Sequence, residues 1–372
     1  MTSKTERTIL RKGIEDLTPY EPGRPMSVVK RELGLADVIK LASNECPYPP
    51  FPRALAAMKK AAERVNRYPD DNSTFLKEKL SSFLKVPALN VMIGHGSNEL
   101  IRLLAEVILE PGDEAVMASP SFVVYPHAVK ITGATPIEVP LGEHRHDLKA
   151  MLRAVGDRTK MVFICNPNNP TGTIVYREEL EDFLKEIGDD VVVVIDEAYY
   201  ELVDDPGYPN GLEYFNGERP IVVLRTFSKV YGLAGCRVGY GVAPEWLVQA
   251  VNRVKDAFNV GTVGQIGAIF SLDCQDEVAE RRRLNRDGLA YLVREFFRLN
   301  LAYIPSFANF IMVNVGDEDR KVTEALLKAG VIVRPADIFG YSGWIRVSVG
   351  TPEENERFIS ALERVLNEKG SA

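Results

Sequence analysis

The chain has 372 residues, four cysteines and a formal net charge of −7, with 45% hydrophobic and 26% charged residues. These proportions are ordinary for a globular protein and exclude a disordered, a collagen-like or a disulfide-stapled chain. The acidic balance points away from nucleic acid and anionic membrane as partners.

Residues 1–17 are charged throughout and hold no apolar stretch of the kind a secretory leader needs. No apolar run approaches the ~18–20 residues of a membrane helix. Cys46, Cys165, Cys236 and Cys274 contain no C-x-x-C pair, so buried reduced thiols in the cytoplasm are expected. Further along, short Val- and Ile-rich runs at 91–93, 115–118, 161–165, 191–195 and 221–224 alternate with helical patterns such as 98–109, 178–187 and 245–254. Apolar runs without alternation, separated by helices, predict an α/β protein whose mostly parallel sheet is buried on both faces. From about residue 263 the sequence turns helix-rich, with a long charged helix at 277–299, short strands near 308–315, 331–334 and 344–349, and a closing helix at 353–367. A core rarely grows beyond ~250–300 residues. The expected division is therefore a large domain over 41–262, a smaller α+β domain over 263–372, and an N-terminal segment, 1–40, packing with the smaller one.

Two charged features have ordinary readings. Arg281-Arg282-Arg283 shares its predicted helix with Glu277, Glu280 and Glu295, the pattern of a solvated face. His144 and His146 flank Arg145 with no third ligand nearby, which is poor for a metal.

In open parallel sheets ligands bind beyond the carboxyl ends of the strands. Four such ends carry unusual residues. The first is Gly94-His95-Gly96-Ser97-Asn98-Glu99, where small residues at a helix start expose backbone N–H groups to an anion. The others are Asn166-Pro167-Asn168-Asn169-Pro170-Thr171-Gly172, Asp196-Glu197-Ala198-Tyr199 and Arg225-Thr226-Phe227-Ser228-Lys229. Each alone reads as a turn, a cap or a surface charge. Together they place an anion site, a carboxylate, a phenol, an amide and an amine on one rim. The apolar run before Asp196-Glu197 looks like the magnesium-binding strand of a P-loop ATPase, but the chain has no G-x-x-x-x-G-K-[ST]. Gly94-x-Gly96 lacks the third glycine of a dinucleotide fingerprint, since Glu99 stands there. Lysine, aspartate and tyrosine beside a phosphate site do meet the needs of pyridoxal 5′-phosphate: an amine for a Schiff base, a carboxylate for the pyridine nitrogen, a phenol for the ring oxygen.

At these motifs the sequence resembles the fold-type I aminotransferases, and among them the histidinol-phosphate aminotransferases. The resemblance runs from Thr18-Pro19-Tyr20-Glu21-Pro22-Gly23 to Arg346-Val347-Ser348-Val349-Gly350-Thr351. Its most specific part is Thr226-Phe227-Ser228-Lys229 with Arg237 eight residues after the lysine. The resemblance implies Lys229 as the Schiff-base lysine and proton shuttle, Asp196 against the pyridine nitrogen, and Asn169 and Tyr199 on the ring oxygen. It implies Phe122 stacked on the ring, and the phosphate among Gly96, Ser97, Asn98, Thr226, Ser228 and Arg237. Tyr68 would reach the cofactor phosphate of a partner subunit, making the enzyme a homodimer with shared sites. For the substrate it implies Arg346 at the anionic end, with Arg334, Tyr20 and Asn44 completing the pocket. His95, Asn98 and Cys46 depart from the usual family residues. The implied reaction is transamination between L-histidinol phosphate and 2-oxoglutarate. An aromatic amino-acid aminotransferase shares every cofactor residue and stays open, as does a phosphorylated-amino-acid decarboxylase, while intact Lys229, Asp196, Tyr199 and Arg237 argue against a non-catalytic cofactor-binding protein.

Overall fold

The computed structural model describes residues 14, 17, 19 and 23–370. Tyr20, assigned above to the substrate, lies outside the described residues. The strands are β1 (Ile39–Lys40), β2 (Val91–Gly94), β3 (Glu114–Ser119), β4 (Thr135–Pro140), β5 (Thr159–Cys165), β6 (Val192–Asp196) and β7 (Ile221–Thr226). They continue as β8 (Gly239–Val242), β9 (Tyr303–Ile304), β10 (Phe310–Asn314), β11 (Val331–Ile332), β12 (Arg334–Pro335) and β13 (Trp344–Ser348).

Seven strands form one sheet in the order β2-β8-β7-β6-β5-β3-β4. Every neighbouring pair is parallel except those of β8, which runs antiparallel to β2 and β7. Strand β6 shows why the apolar runs do not alternate. Val193 and Ile195 pack with Leu180 and Phe183 on one face, and Val194 packs with Phe163 and Leu104 on the other. Helices cover both faces, so both sets of side chains are buried. Helices Leu148–Arg153 and Arg177–Glu186 cover the face of Val193 and Ile195, and helices Ser97–Ile108, Val124–Thr132 and Glu245–Val254 cover the face of Val194.

A second, four-stranded sheet has the order β12-β13-β10-β9 and is antiparallel throughout. Beside it β1 pairs in parallel with β11, Ile39 facing Val331. Ile39 and Leu41 thereby enter a core built from Ile311, Val313, Val347, Phe296 and Phe358.

Two placements differ from the sequence reading. Helix Thr262–Ser271, which that reading assigns to the smaller domain, packs on helices Pro52–Ala62 and Thr74–Leu84. Its Ala268 joins Phe51, Leu76, Leu80 and Tyr240. Small residues allow the close approach: a Cβ on Gly267 would lie 2.9 Å from Met58 Sδ. The chain crosses to the smaller sheet along helix Gln275–Arg298, with Val278 in the first core and Leu292 and Phe296 in the second. The second difference concerns the basic run on that helix. Arg281 donates to the Val230 carbonyl at 2.7 Å and lies over the Phe51 ring, and Arg282 donates to the Glu201 carbonyl at 2.6 Å. Only Arg283 of the three behaves as a solvated residue, paired with Glu280 and Asp287. Among the described residues no helix is long and apolar enough to cross a membrane.

Candidate active site

The carboxyl ends of β5, β6 and β7 and the start of helix Ser97–Ile108 open onto one cavity of about 210 Å³. Gly96, the residue before that helix, has φ +77° and no side-chain cap, so the first N–H groups of the helix remain available to a ligand. The loop is held from below by Glu99, whose carboxylate accepts from His95 N at 2.6 Å. Asn98 and Ser97 line the same corner as Thr226, Ser228 and Arg237. Thr226 Oγ1 lies 3.0 Å from Ser228 Oγ, and Arg237 Nη1 donates to Ser228 Oγ at 3.4 Å. A Cβ on Gly96 would sit 2.6 Å from Arg237 Nη2, so the missing side chain is what lets the guanidinium close over the helix start. Hydroxyls, backbone N–H groups and one guanidinium thus converge, the donor set a phosphate needs.

Asp196 ends β6 and is buried, and burial raises its carboxyl from 3.8 to about 6. Tyr125 donates to Asp196 Oδ2 at 2.8 Å and Ala198 N donates to Oδ1 at 3.2 Å, both favouring the carboxylate. Asp196 is therefore ionised at neutral pH and suits a protonated ring nitrogen. Desolvation lowers the amine of half-buried Lys229 from 10.5 to about 8, with Arg346 and Arg237 adding to the effect. Its Nζ donates to the Asn44 carbonyl at 3.2 Å. Burial also pushes the Tyr199 phenol well up, so its proton is retained. Asn44 Nδ2 donates to Tyr199 Oη at 2.9 Å, leaving the phenol's own O–H to point elsewhere.

Asn169 and Phe122 line the same cavity. Asn169 Oδ1 accepts from Arg346 Nη1 at 2.5 Å, so its amide N–H groups are left to face the cavity. Arg334 and Arg346 form the opposite wall, and they face each other in the β12–β13 register. Both are buried, at 8% and 6% exposure. Tyr68 is not in the cavity: it is 82% exposed and stacks on Phe258 with ring centroids 4.5 Å apart.

Tyr125 and Phe339 escape the sequence reading. Tyr125 sits three residues after Phe122 inside a helix, where an aromatic reads as core. Phe339 lines the cavity and lies under the Arg346 guanidinium, 5.2 Å from it. The only signal for it was its place five residues after Arg334. The two histidines of the H-x-H pair diverge: His144 Nδ1 meets Tyr341 Oη at 2.8 Å, and His146 Nε2 meets Asn168 Oδ1 at 3.2 Å.

The family described as Aminotransferase class I and II matches residues 36–362. The chain is 47% identical to a histidinol-phosphate aminotransferase of Moorella thermoacetica, covering 96% of this chain and 92% of that one. It is 48% identical to histidinol-phosphate aminotransferase 2 of Carboxydothermus hydrogenoformans, covering 96% and 99%. Among solved structures it superimposes on the histidinol-phosphate aminotransferase of Sinorhizobium meliloti in complex with pyridoxal 5′-phosphate. That match has a TM-score of 0.88 at 26% identity and covers 97% of this chain and 98% of that one.

Proposed function

Because the chain belongs to the class I and II aminotransferase family, we propose that it is a pyridoxal 5′-phosphate-dependent transaminase of histidine biosynthesis. It exchanges L-histidinol phosphate and 2-oxoglutarate for imidazole-acetol phosphate and L-glutamate. The observation that carries the substrate is the pair Arg334 and Arg346, directly opposite each other on adjacent strands and both buried in the wall facing Lys229. A guanidinium fork binds a phosphate and a carboxylate equally well. One wall can then serve both half-reactions.

The donor set at the helix start, the ionised Asp196 and the Lys229 amine fit the cofactor. Gly96, Ser97, Asn98, Thr226, Ser228 and Arg237 would hold its phosphate, Asp196 its ring nitrogen, Asn169 and Tyr199 its ring oxygen, and Phe122 one ring face. When bound it supplies an electron-withdrawing ring that acidifies the substrate's Cα–H. Lys229 Nζ, neutral in a substantial fraction near its value of about 8, accepts the Cα proton. Asn44 holds the Tyr199 phenol in place through its amide, and Phe122 and Phe339 exclude water from the reacting face.

Tyr68, exposed on the surface of one chain, belongs in this reading to a homodimer in which it reaches the partner's phosphate site. The large domain over 41–262 and the smaller one over 263–372 with residues 1–40 remain our proposed division, with helix Thr262–Ser271 packed on the large side. Free thiols at all four cysteines support the cytoplasm.

Spectroscopy of the cofactor-loaded protein tests the function. L-histidinol phosphate and L-glutamate should each convert the bound cofactor to its amino form, with L-phenylalanine slow. Fast conversion by phenylalanine with histidinol phosphate inert would move the function to aromatic transamination.

A further inference from the structure

Behind Lys229, away from the cofactor cavity, lies a smaller cavity of about 30 Å³ lined by Lys229, Cys46, Asn285 and Asn309 among others. A site needs roughly 10–15 Å³ to hold a water molecule, so this one has room. Asn309 comes from the smaller sheet's side of the chain, just ahead of β10, and is 5% exposed. Its Nδ2 donates to the Asn44 carbonyl at 3.0 Å, the same oxygen that accepts from Lys229 Nζ. Its Oδ1 is buried and has no hydrogen-bond partner among the described residues. Asn44 itself is held at φ +53°, an uncommon conformation for a residue with a side chain. Ser348 Oγ fixes it by accepting from Asn44 N at 2.9 Å. A residue fixed from three sides and offering its carbonyl to the amine points to a function for that carbonyl.

We propose that Asn309 is a positioning residue for Lys229: its amide locks the Asn44 carbonyl behind the amine, and its Oδ1 holds a water in the small cavity as a second acceptor. The reason is geometric. A neutral amine has two N–H bonds and one lone pair. If two acceptors behind it take the two N–H bonds, the lone pair points forward, toward the carbon whose proton it must accept. With neither acceptor fixed, the amine rotates and its lone pair is aimed only part of the time. Misalignment of this kind is worth about tenfold to a hundredfold in rate. The inference rests on the transaminase reading for its consequence, and on the geometry alone for its mechanism.

The test uses Asn309→Ala, which removes both contacts, and Asn309→Asp, which keeps the shape and replaces the donor by an acceptor. In the cofactor-free protein, Lys229 is labelled with a small aldehyde and cyanoborohydride and read by peptide mass spectrometry. Both variants should label Lys229 several-fold more slowly than the parent, while surface lysines label unchanged. In the loaded protein, conversion by L-glutamate should slow about tenfold with KM nearly constant. The deuterium isotope effect from Cα-labelled glutamate should rise at the same time. Should Asn309→Ala fail to fold, Asn309→Asp carries the measurement. Parent-like labelling of Lys229 in a folded variant overturns the proposal. A parent that does not convert glutamate at all would overturn the transaminase reading, and the labelling comparison would still decide Asn309.

Discussion

The two walls of the main cavity are built by different means. The wall for the cofactor comes from Gly96 to Arg237, and its groups sit on strand ends and a helix start of one seven-stranded sheet. Several already have a partner in that wall, as Asp196 has Tyr125, and Ser228 has Thr226 and Arg237. The wall for the substrate gathers Asn44, Arg334, Phe339 and Arg346, which lie up to 302 residues apart in the numbering, and β12 is only two residues long. It places Arg334 opposite Arg346 in the strand register. The first wall is preorganised by the core beneath it, whereas the second is assembled from distant segments, with Arg346 reaching across to Asn169 of the first. In the proposed function the first wall carries the chemistry and the second the selectivity.

Breaking the cofactor wall should cost most. Lys229→Ala should lower the rate of amino transfer by at least about a thousandfold, since it removes the group that moves the proton. Cofactor spectra should at the same time lose the signature of covalent attachment, with melting temperature little changed. An activity within tenfold of the parent would sink the assignment. Breaking the substrate wall should cost less and show elsewhere. Arg334→Gln should raise KM for L-histidinol phosphate by roughly 10- to 100-fold, the worth of a charge-assisted hydrogen bond. Cofactor affinity should stay within about threefold, because Arg334 lies on the other wall; a titration followed by absorbance checks both.

Tyr125→Phe sharpens the comparison within the cofactor wall. It removes the hydrogen bond to Asp196 Oδ2 and so pushes the carboxyl further up from about 6. The rate should fall about tenfold with KM nearly constant, and the acidic limb of the pH profile should move to higher pH. The smallest effect is on stability. Folding lowers the Lys229 amine from 10.5 to about 8, so between those two values the unfolded chain binds the extra proton. Below pH 8 both states are protonated and the full cost of burying the ammonium is present. As pH rises through the window that cost disappears, and the cofactor-free protein should gain up to about 3 kcal/mol relative to Lys229→Met. Urea unfolding of both proteins at pH 7.5 and 10 measures the difference.

Much of the fold and most of the cofactor wall were legible in the sequence, because both are written in contiguous segments. Runs such as the one ending at Asp196 announce buried parallel strands by composition, and a strand end followed by Gly96-Ser97 or Ser228-Lys229 places its side chains locally. Strand β8 was not legible: Gly239 and Gly241 give it little strand character. Gly239 is required because a Cβ there would run into the backbone of Gly96 and Ser97 at the helix start. Arg281 and Arg282 read as solvated because their own helix is charged, while their partners, the carbonyls of Val230 and Glu201, are about 50 and 80 residues away.

By itself, then, the sequence determined the layered α/β plan, the family resemblance and the candidate lysine, carboxylate and phenol. Each of those follows from local periodicity or from residues a few positions apart. Tertiary structure alone decided that Arg334 faces Arg346, that Tyr125 reaches Asp196, and that one carbonyl of Asn44 serves both Lys229 and Asn309. Those contacts depend on strand register and on packing between distant segments. Burial then brought both titrations closer to neutral pH than the same carboxyl and amine would show in water.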